Sequence, residues 1–184
     1  RFSGSSFWSC AGRSEGTARR GERSAAMSGT LLLLGAAPVH LPDHLRVAEE
    51  AGWKVTACHD RAADRRDRMA RELGARALAD LPERSDWDAA IVCSETVHHA
   101  ADIDRALDLG LPVFTEKPLA GSAAASVRLA DRAEAAGARL VTNYFLRTNP
   151  GVRASRAALE ADEIGAVRRA CASPMTAASP TGST

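Results

Sequence analysis

The chain has 184 residues, 45% of them hydrophobic and 4% aromatic, with a formal net charge of +1. That length suits about one domain with a real core, while a near-neutral charge without basic residues interleaved with aromatics excludes an electrostatic nucleic-acid surface. The longest aliphatic run, Leu31–Leu34, is too short to cross a membrane, and Cys10, Cys58, Cys93 and Cys171, with no CxxC or zinc spacing, read as free thiols of a reducing, cytoplasmic compartment.

Residues 1–29 are rich in Ser, Gly and Arg and have neither an apolar period nor a signal-peptide core, so a disordered extension is expected, with Arg1–Ala26 upstream of Met27. Thr30–Leu34 is a buried strand, and Gly35–His40 a turn. Pro42–Ala51 is an amphipathic helix with proline in its first turn. Lys54–Cys58 is a second strand and Ala62–Leu73 a charged helix. Arg76–Leu78 and Ala89–Cys93 are the third and fourth strands. A helix over His98–Leu109, a strand over Pro112–Thr115, a helix over Ser122–Ala136 capped by Ser122, and a strand over Arg139–Thr142 continue the alternation. A helix from about Gly151 to Glu160 and a strand over Ala166–Ala172 are expected next, then a disordered tail over 173–184.

Strands alternating with helices over short connections predict an α/β, doubly wound parallel sheet of the Rossmann type over residues 30–150. Ligands of such sheets sit beyond the carboxyl ends of the strands, where strand order reverses. The unusual residues fall there: Gly35 after the first strand, Asp60 after the second, Ser94–Thr96 after the fourth, Glu116–Lys117 after the fifth and Tyr144 after the sixth.

The first turn, "LLLLGAAPVH", places Gly35, Ala37 and His40 in the register of a G-x-G-x-x-G dinucleotide fingerprint, with only the first glycine kept. Ala37 is small, and His40 near a helix start is a donor for an anion; an ordinary strand–helix turn reads equally well. His40 and His44 lack a third partner at metal-ligand spacing, so no metal is expected. Asp60 is placed to accept from adenosine ribose hydroxyls, which favours NAD, although Arg61, Arg65 and Arg66 nearby leave NADP open. Asp60 also reads as the cap of the following helix. His99, on a helix's first turn, reads by default as a partly exposed histidine.

"LPVFTEKPLAG" is the sharpest signal. Of 24 Lys+Arg residues only Lys54 and Lys117 are lysine. A lysine kept in an arginine-rich chain points to a task for a compact ammonium. Glu116 is expected to hold that ammonium in place, and Pro118 permits a cis bond. An isolated Glu-Lys pair also reads as a strand-end salt bridge.

Taken together, Glu116, Lys117 and Pro118, the long helix that follows, and Tyr144, Arg147 and Pro150 resemble the N-terminal half of the Gfo/Idh/MocA family of NAD(P)-dependent sugar and polyol oxidoreductases. "IVCSETVHHA" is similar to its A-T-P-x-x-x-H segment, with Ser94 at the threonine and His99 at the histidine. Ile164, Gly165 and Val167 resemble its passage into a second domain. The resemblance implies hydride transfer between a nicotinamide and a sugar-like hydroxyl, Lys117 as the catalytic residue, a cis Lys117–Pro118 bond, and Gly35, Ala37, His40, Asp60, Ser94, Thr96, His99 and Glu116 around the dinucleotide. It also implies a second α/β domain carrying the substrate pocket and oligomer interface, of which residues 151–172 hold only the beginning, so a fragment inactive alone is expected. The glycine-poor turn departs from the family pattern. A non-catalytic nucleotide-binding or scaffold module is the competing reading; a flavodoxin-like signalling domain would need acidic residues after the first strand, which has none.

Overall fold

The computed structural model describes residues 28–37 and 40–169. The expected disorder of residues 1–27 and 173–184 lies outside them, whereas Gly29, expected in that extension, already begins a strand. Six strands form one all-parallel sheet: β1 Gly29–Leu34, β2 Trp53–His59, β3 Arg76–Leu78, β4 Ala89–Val92, β5 Val113–Thr115 and β6 Leu140–Thr142. Their order is β3-β2-β1-β4-β5-β6, so the direction of winding reverses between β1 and β4.

The four-leucine run of β1 explains how the sheet is covered. Side chains alternate between faces, so Leu31 and Leu33 enter one core with Val55, Ile91 and Cys93, while Leu32 and Leu34 enter the other with Ala90, Val92 and Val113. Helices α1 (Leu41–Glu50) and α2 (Ala63–Leu73) close the first core with Leu41, Ala48 and Ala70. Helices α3 (Thr96–Asp108) and α4 (Ala123–Ala135) close the second with Ile103, Ala106 and Leu129. A strand buried on both faces reads as a continuous apolar run, which is the pattern of a parallel sheet.

Contacts divide the chain into two compact units after Tyr144, ahead of the expected boundary at 150. In the second unit a 3-10 helix, Phe145–Thr148, precedes α5, Pro150–Glu160, whose N-terminus is capped by Asn149 through Gly151 N–H at 2.9 Å. Of the strand expected over Ala166–Ala172, residues 166–169 are irregular, and residues 170–172 lie outside the described residues. A strand needs a neighbour for its ladder, and Val167 stands exposed.

Candidate dinucleotide site

Gly35 ends β1 with φ +78°, and a Cβ built on it would stand 2.3 Å from Ser94 Cα. Only glycine allows both the left-handed backbone and this approach, so the β1–α1 turn crosses the end of β4 at backbone contact. The turn's own donors are used internally. Gly35 N–H donates to the His59 carbonyl at 2.8 Å, Ala36 N–H to Asp60 at 2.9 Å, and Ala37 N–H to the Cys93 carbonyl at 3.0 Å. His40 is the N-cap of α1, and its side chain makes no cap hydrogen bond; the positive end of the helix dipole there favours an anion.

Asp60, at the end of β2, is 3% exposed. Its Oδ2 accepts from Ala36 N–H and from Arg65 Nε at 2.6 Å; its Oδ1 accepts from Ala62 N–H and Arg65 Nη2, both at 2.8 Å. Burial pushes this carboxyl up, but the hydrogen bonds from Arg65, Ala62 and Ala36 outweigh it and hold the group below the usual carboxylate range. Asp60 therefore ties the turn to the residue before α2, but it is not the cap expected of it: the N-cap is Ala62, without a side-chain cap bond, and the Asp60 oxygens face the protein. Arg65 Nη2 also reaches Glu95 at 2.7 Å. Arg61 holds the buried Asp102 through two bonds of 2.8 and 3.0 Å, and Arg66 holds Asp67 at 2.7 Å. Arg61, Arg65 and Arg66 thus each already face a carboxylate.

Glu116 is 2% exposed at the end of β5. The expected pairing of its carboxylate with the Lys117 ammonium is not formed. The side chain turns inward instead: Oε1 accepts from His44 at 2.5 Å and from Asn143 Nδ2 at 2.8 Å, and Oε2 from the Lys117 backbone N–H at 2.9 Å. Burial again pushes the carboxyl up, and the donors Asn143, His44 and Lys117 N–H bring it below its ordinary value. Lys117 is exposed, and the Lys117–Pro118 bond is cis, as the resemblance implied.

His99 is also corrected. It is 1% exposed, with Nδ1 at 2.7 Å from the Pro118 carbonyl and Nε2 at 2.9 Å from the Ser94 carbonyl. Ser94 itself is buried, and its Oγ has no hydrogen-bond partner among the described residues.

These elements surround a hollow of about 320 Å³. Ala37, His40, Ser94, Thr96, His99, Glu116 and Lys117 line it, and Gly35, which is not in the lining, lies against Ser94, which is. Glu95, inside the Ser94–Thr96 stretch but not among the residues expected around the dinucleotide, lines it too; its only sequence signal is its place next to Ser94. The close glycine crossing and the unpartnered Ser94 hydroxyl fit a dinucleotide. Among the described residues no cluster of three or more His, Cys, Asp or Glu could hold a metal ion.

The GFO_IDH_MocA family model, described as an oxidoreductase family with an NAD-binding Rossmann fold, matches residues 31–144. An inositol 2-dehydrogenase of Pseudomonas syringae pv. syringae is 34% identical over 131 residues, covering 67% of this chain and 39% of that protein. The dTDP-3,4-didehydro-2,6-dideoxy-alpha-D-glucose 3-reductase of Actinomadura kijaniata is 35% identical over 123 residues, covering 65% and 37%. Among solved structures, a 3-ketoreductase from Actinomadura kijaniata in complex with NADP and TDP-benzene superposes with a TM-score of 0.64 at 31% identity, covering 76% of this chain and 44% of that one. The chain spans about two-fifths of the length of the curated relatives it matches.

Proposed function

This chain belongs to the Gfo/Idh/MocA oxidoreductase family, and on that premise we propose that residues 30–150 are the cofactor domain of an enzyme that moves a hydride between a nicotinamide and a sugar- or polyol-like hydroxyl. The observation that carries the reading is a single one. Lys117 shares its hollow with the turn that Gly35 and Ser94 hold at backbone contact. One end can take a pyrophosphate and the other offers a mobile point charge, at the switch point of the sheet. A bound nicotinamide would supply the hydride acceptor or donor. Lys117 would donate to the reacting hydroxyl or the nicotinamide ribose and favour a developing alkoxide. Ser94 Oγ would find in the cofactor the partner it lacks among the described residues. The inositol dehydrogenase and sugar 3-reductase among the relatives support a sugar-like substrate, with its pocket and an oligomer interface in a further domain beginning within 151–172.

NAD is the preferred cofactor in this reading. Around the end of β2, Asp60, Glu95 and Asp102 set three negative charges against the two of Arg61 and Arg65, a poor setting for a 2′-phosphate. Among the described residues no helix is long and apolar enough to cross a membrane. Cys58 and Cys93 are free and buried, and these reduced thiols support a cytoplasmic setting. The reading as a non-catalytic nucleotide-binding module draws support from the N–H groups of residues 35–37, already used inside the protein.

NADH fluorescence titration of the purified chain tests the proposal. Saturable binding, abolished in Gly35→Val and weakened for NADPH, is expected; no saturable binding at millimolar NADH would overturn it. Lys117→Ala separates the two readings in the intact enzyme. Binding kept with turnover lost fits a catalytic lysine; turnover kept fits a lysine without a role in the chemistry.

A further inference from the structure

Glu116 and Pro118 flank Lys117, and each is tied to a distant element by a buried side chain. Before Lys117, the Glu116 carboxylate takes two donors from far along the chain: His44 of α1, 72 residues away, and Asn143 beyond β6, 27 residues away. Its other oxygen takes the Lys117 backbone N–H. The His44 ring is held edge-on against Phe114, with centroids 5.2 Å apart and planes at 72°, and this contact helps to set the direction of its Nε2. After Lys117, the ring of His99 stands between two carbonyls, Nδ1 at 2.7 Å from that of Pro118 and Nε2 at 2.9 Å from that of Ser94, and the tautomer with the proton on Nδ1 donates to Pro118.

We propose that His44 and Asn143, acting through the Glu116 carboxylate, and His99, acting on the Pro118 carbonyl, are positioning residues for Lys117. None of the three needs to touch substrate. A buried carboxylate that loses a donor is left under-satisfied, and any shift of Glu116 disturbs its remaining bonds, to Asn143 and to the Lys117 N–H. Truncating His44 therefore reaches the lysine through one intermediate. The arrangement also joins the two ends of the hollow. His44 lies one turn into the helix whose N-cap, His40, borders the turn after β1. Seating an anion at that helix end and orienting Lys117 become parts of one rigid assembly. The inference rests on the reading of Lys117 as the group at the reacting end.

The test uses a peculiarity of composition. Lys54 and Lys117 are the only lysines, so the chain labelled with 15N-lysine shows two backbone amide signals, one at the site and one on an exposed residue of β2 as an internal control. His44→Leu should displace the Lys117 signal and speed its amide exchange about tenfold, as expected for one lost hydrogen bond, with Lys54 unchanged. His44→Gln, which keeps a donor, should restore both; His99→Leu should move Lys117 without affecting Lys54. NADH should displace Lys117 in the unmodified chain and less in His44→Leu. A Lys117 signal with the same shift and exchange rate in all variants would overturn the inference. If the unmodified chain gives no response to NADH, the proposed function fails, while the comparison without NADH still decides the positioning role. Should the Lys54 signal reveal that His44→Leu unfolds, Asn143→Ala carries the same expectation.

Discussion

Asp60 and Glu116 are buried carboxylates held below their ordinary range, the first by Arg65 and two backbone N–H groups, the second by Asn143, His44 and Lys117 N–H. A carboxyl whose pKa is lower folded than unfolded adds stability that is complete above the unfolded value of about 4 and is lost as pH falls through the folded one. Thermal melting should therefore be flat from pH 7 to 5 and fall steeply below about 4. Glu116→Gln should melt lower than the parent at pH 7 yet lose less between pH 5 and 3; parallel curves for the two would refute the assignment. Asp60→Asn should cost about 2 kcal/mol in urea unfolding, below the 3–5 of a fully buried pair, because Arg65 keeps Glu95 and some water. Glu95→Gln acts differently: it releases one of the charges on Arg65 and should narrow the NAD preference severalfold in paired titrations. The positions of Gly35, Asp60 and Lys117 were legible because each stands where a strand ends. Their partners were not. His44 meets Glu116 across 72 residues and Ala36 meets Asp60 across 24, and no local spacing encodes such pairs.

At the scale of elements, apolar periodicity and glycine stops located every strand of the sheet to within a residue or two; β1 and β4, buried on both faces, have no polar side to confuse the pattern, and the exposed β3 was marked by its place between a glycine stop and the next loop. The start of α3 was placed too late. It begins at Thr96 rather than His98, since β-branched Thr96 and Val97 have weak helix propensity while packing of Ile103 and Ala106 commits the whole helix to the sheet. The same helix separates two kinds of contact energy. Asp104 joins Arg128 at 2.8 Å and Arg132 at 2.5 Å between α3 and α4, but these arginines are largely solvated, and Asp104→Ala should cost no more than about 1 kcal/mol. Leu129 of α4 is fully buried in the core below, so Leu129→Ala should cost about 2–5 kcal/mol. Urea midpoints of the two variants check the ranking; a larger loss for Asp104 would mean that the ion pairs and not the core hold α3 against α4.

For the molecule as a whole, the doubly wound class followed from alternation alone, because strand–helix–strand units with short connections leave few topologies once crossovers are right-handed. The extent of the domain was less legible. α5 carries a clear helical pattern, and nothing in that pattern tells whether a helix belongs to the sheet or to the next unit; the contacts assign it to the unit that begins at Phe145. The residues of both apolar cores lie between Leu31 and Leu140, and those lining the hollow between Ala37 and Lys117. A protein of residues 28–144 should accordingly fold cooperatively, melt within about 3 °C of the whole chain, and bind NADH with the same affinity. Scanning calorimetry and fluorescence titration of the two side by side give the answer. If the shorter protein melts many degrees lower, the folding unit does not end at Tyr144. If it melts alike but binds NADH less tightly, the boundary of the cofactor-binding region lies beyond Tyr144.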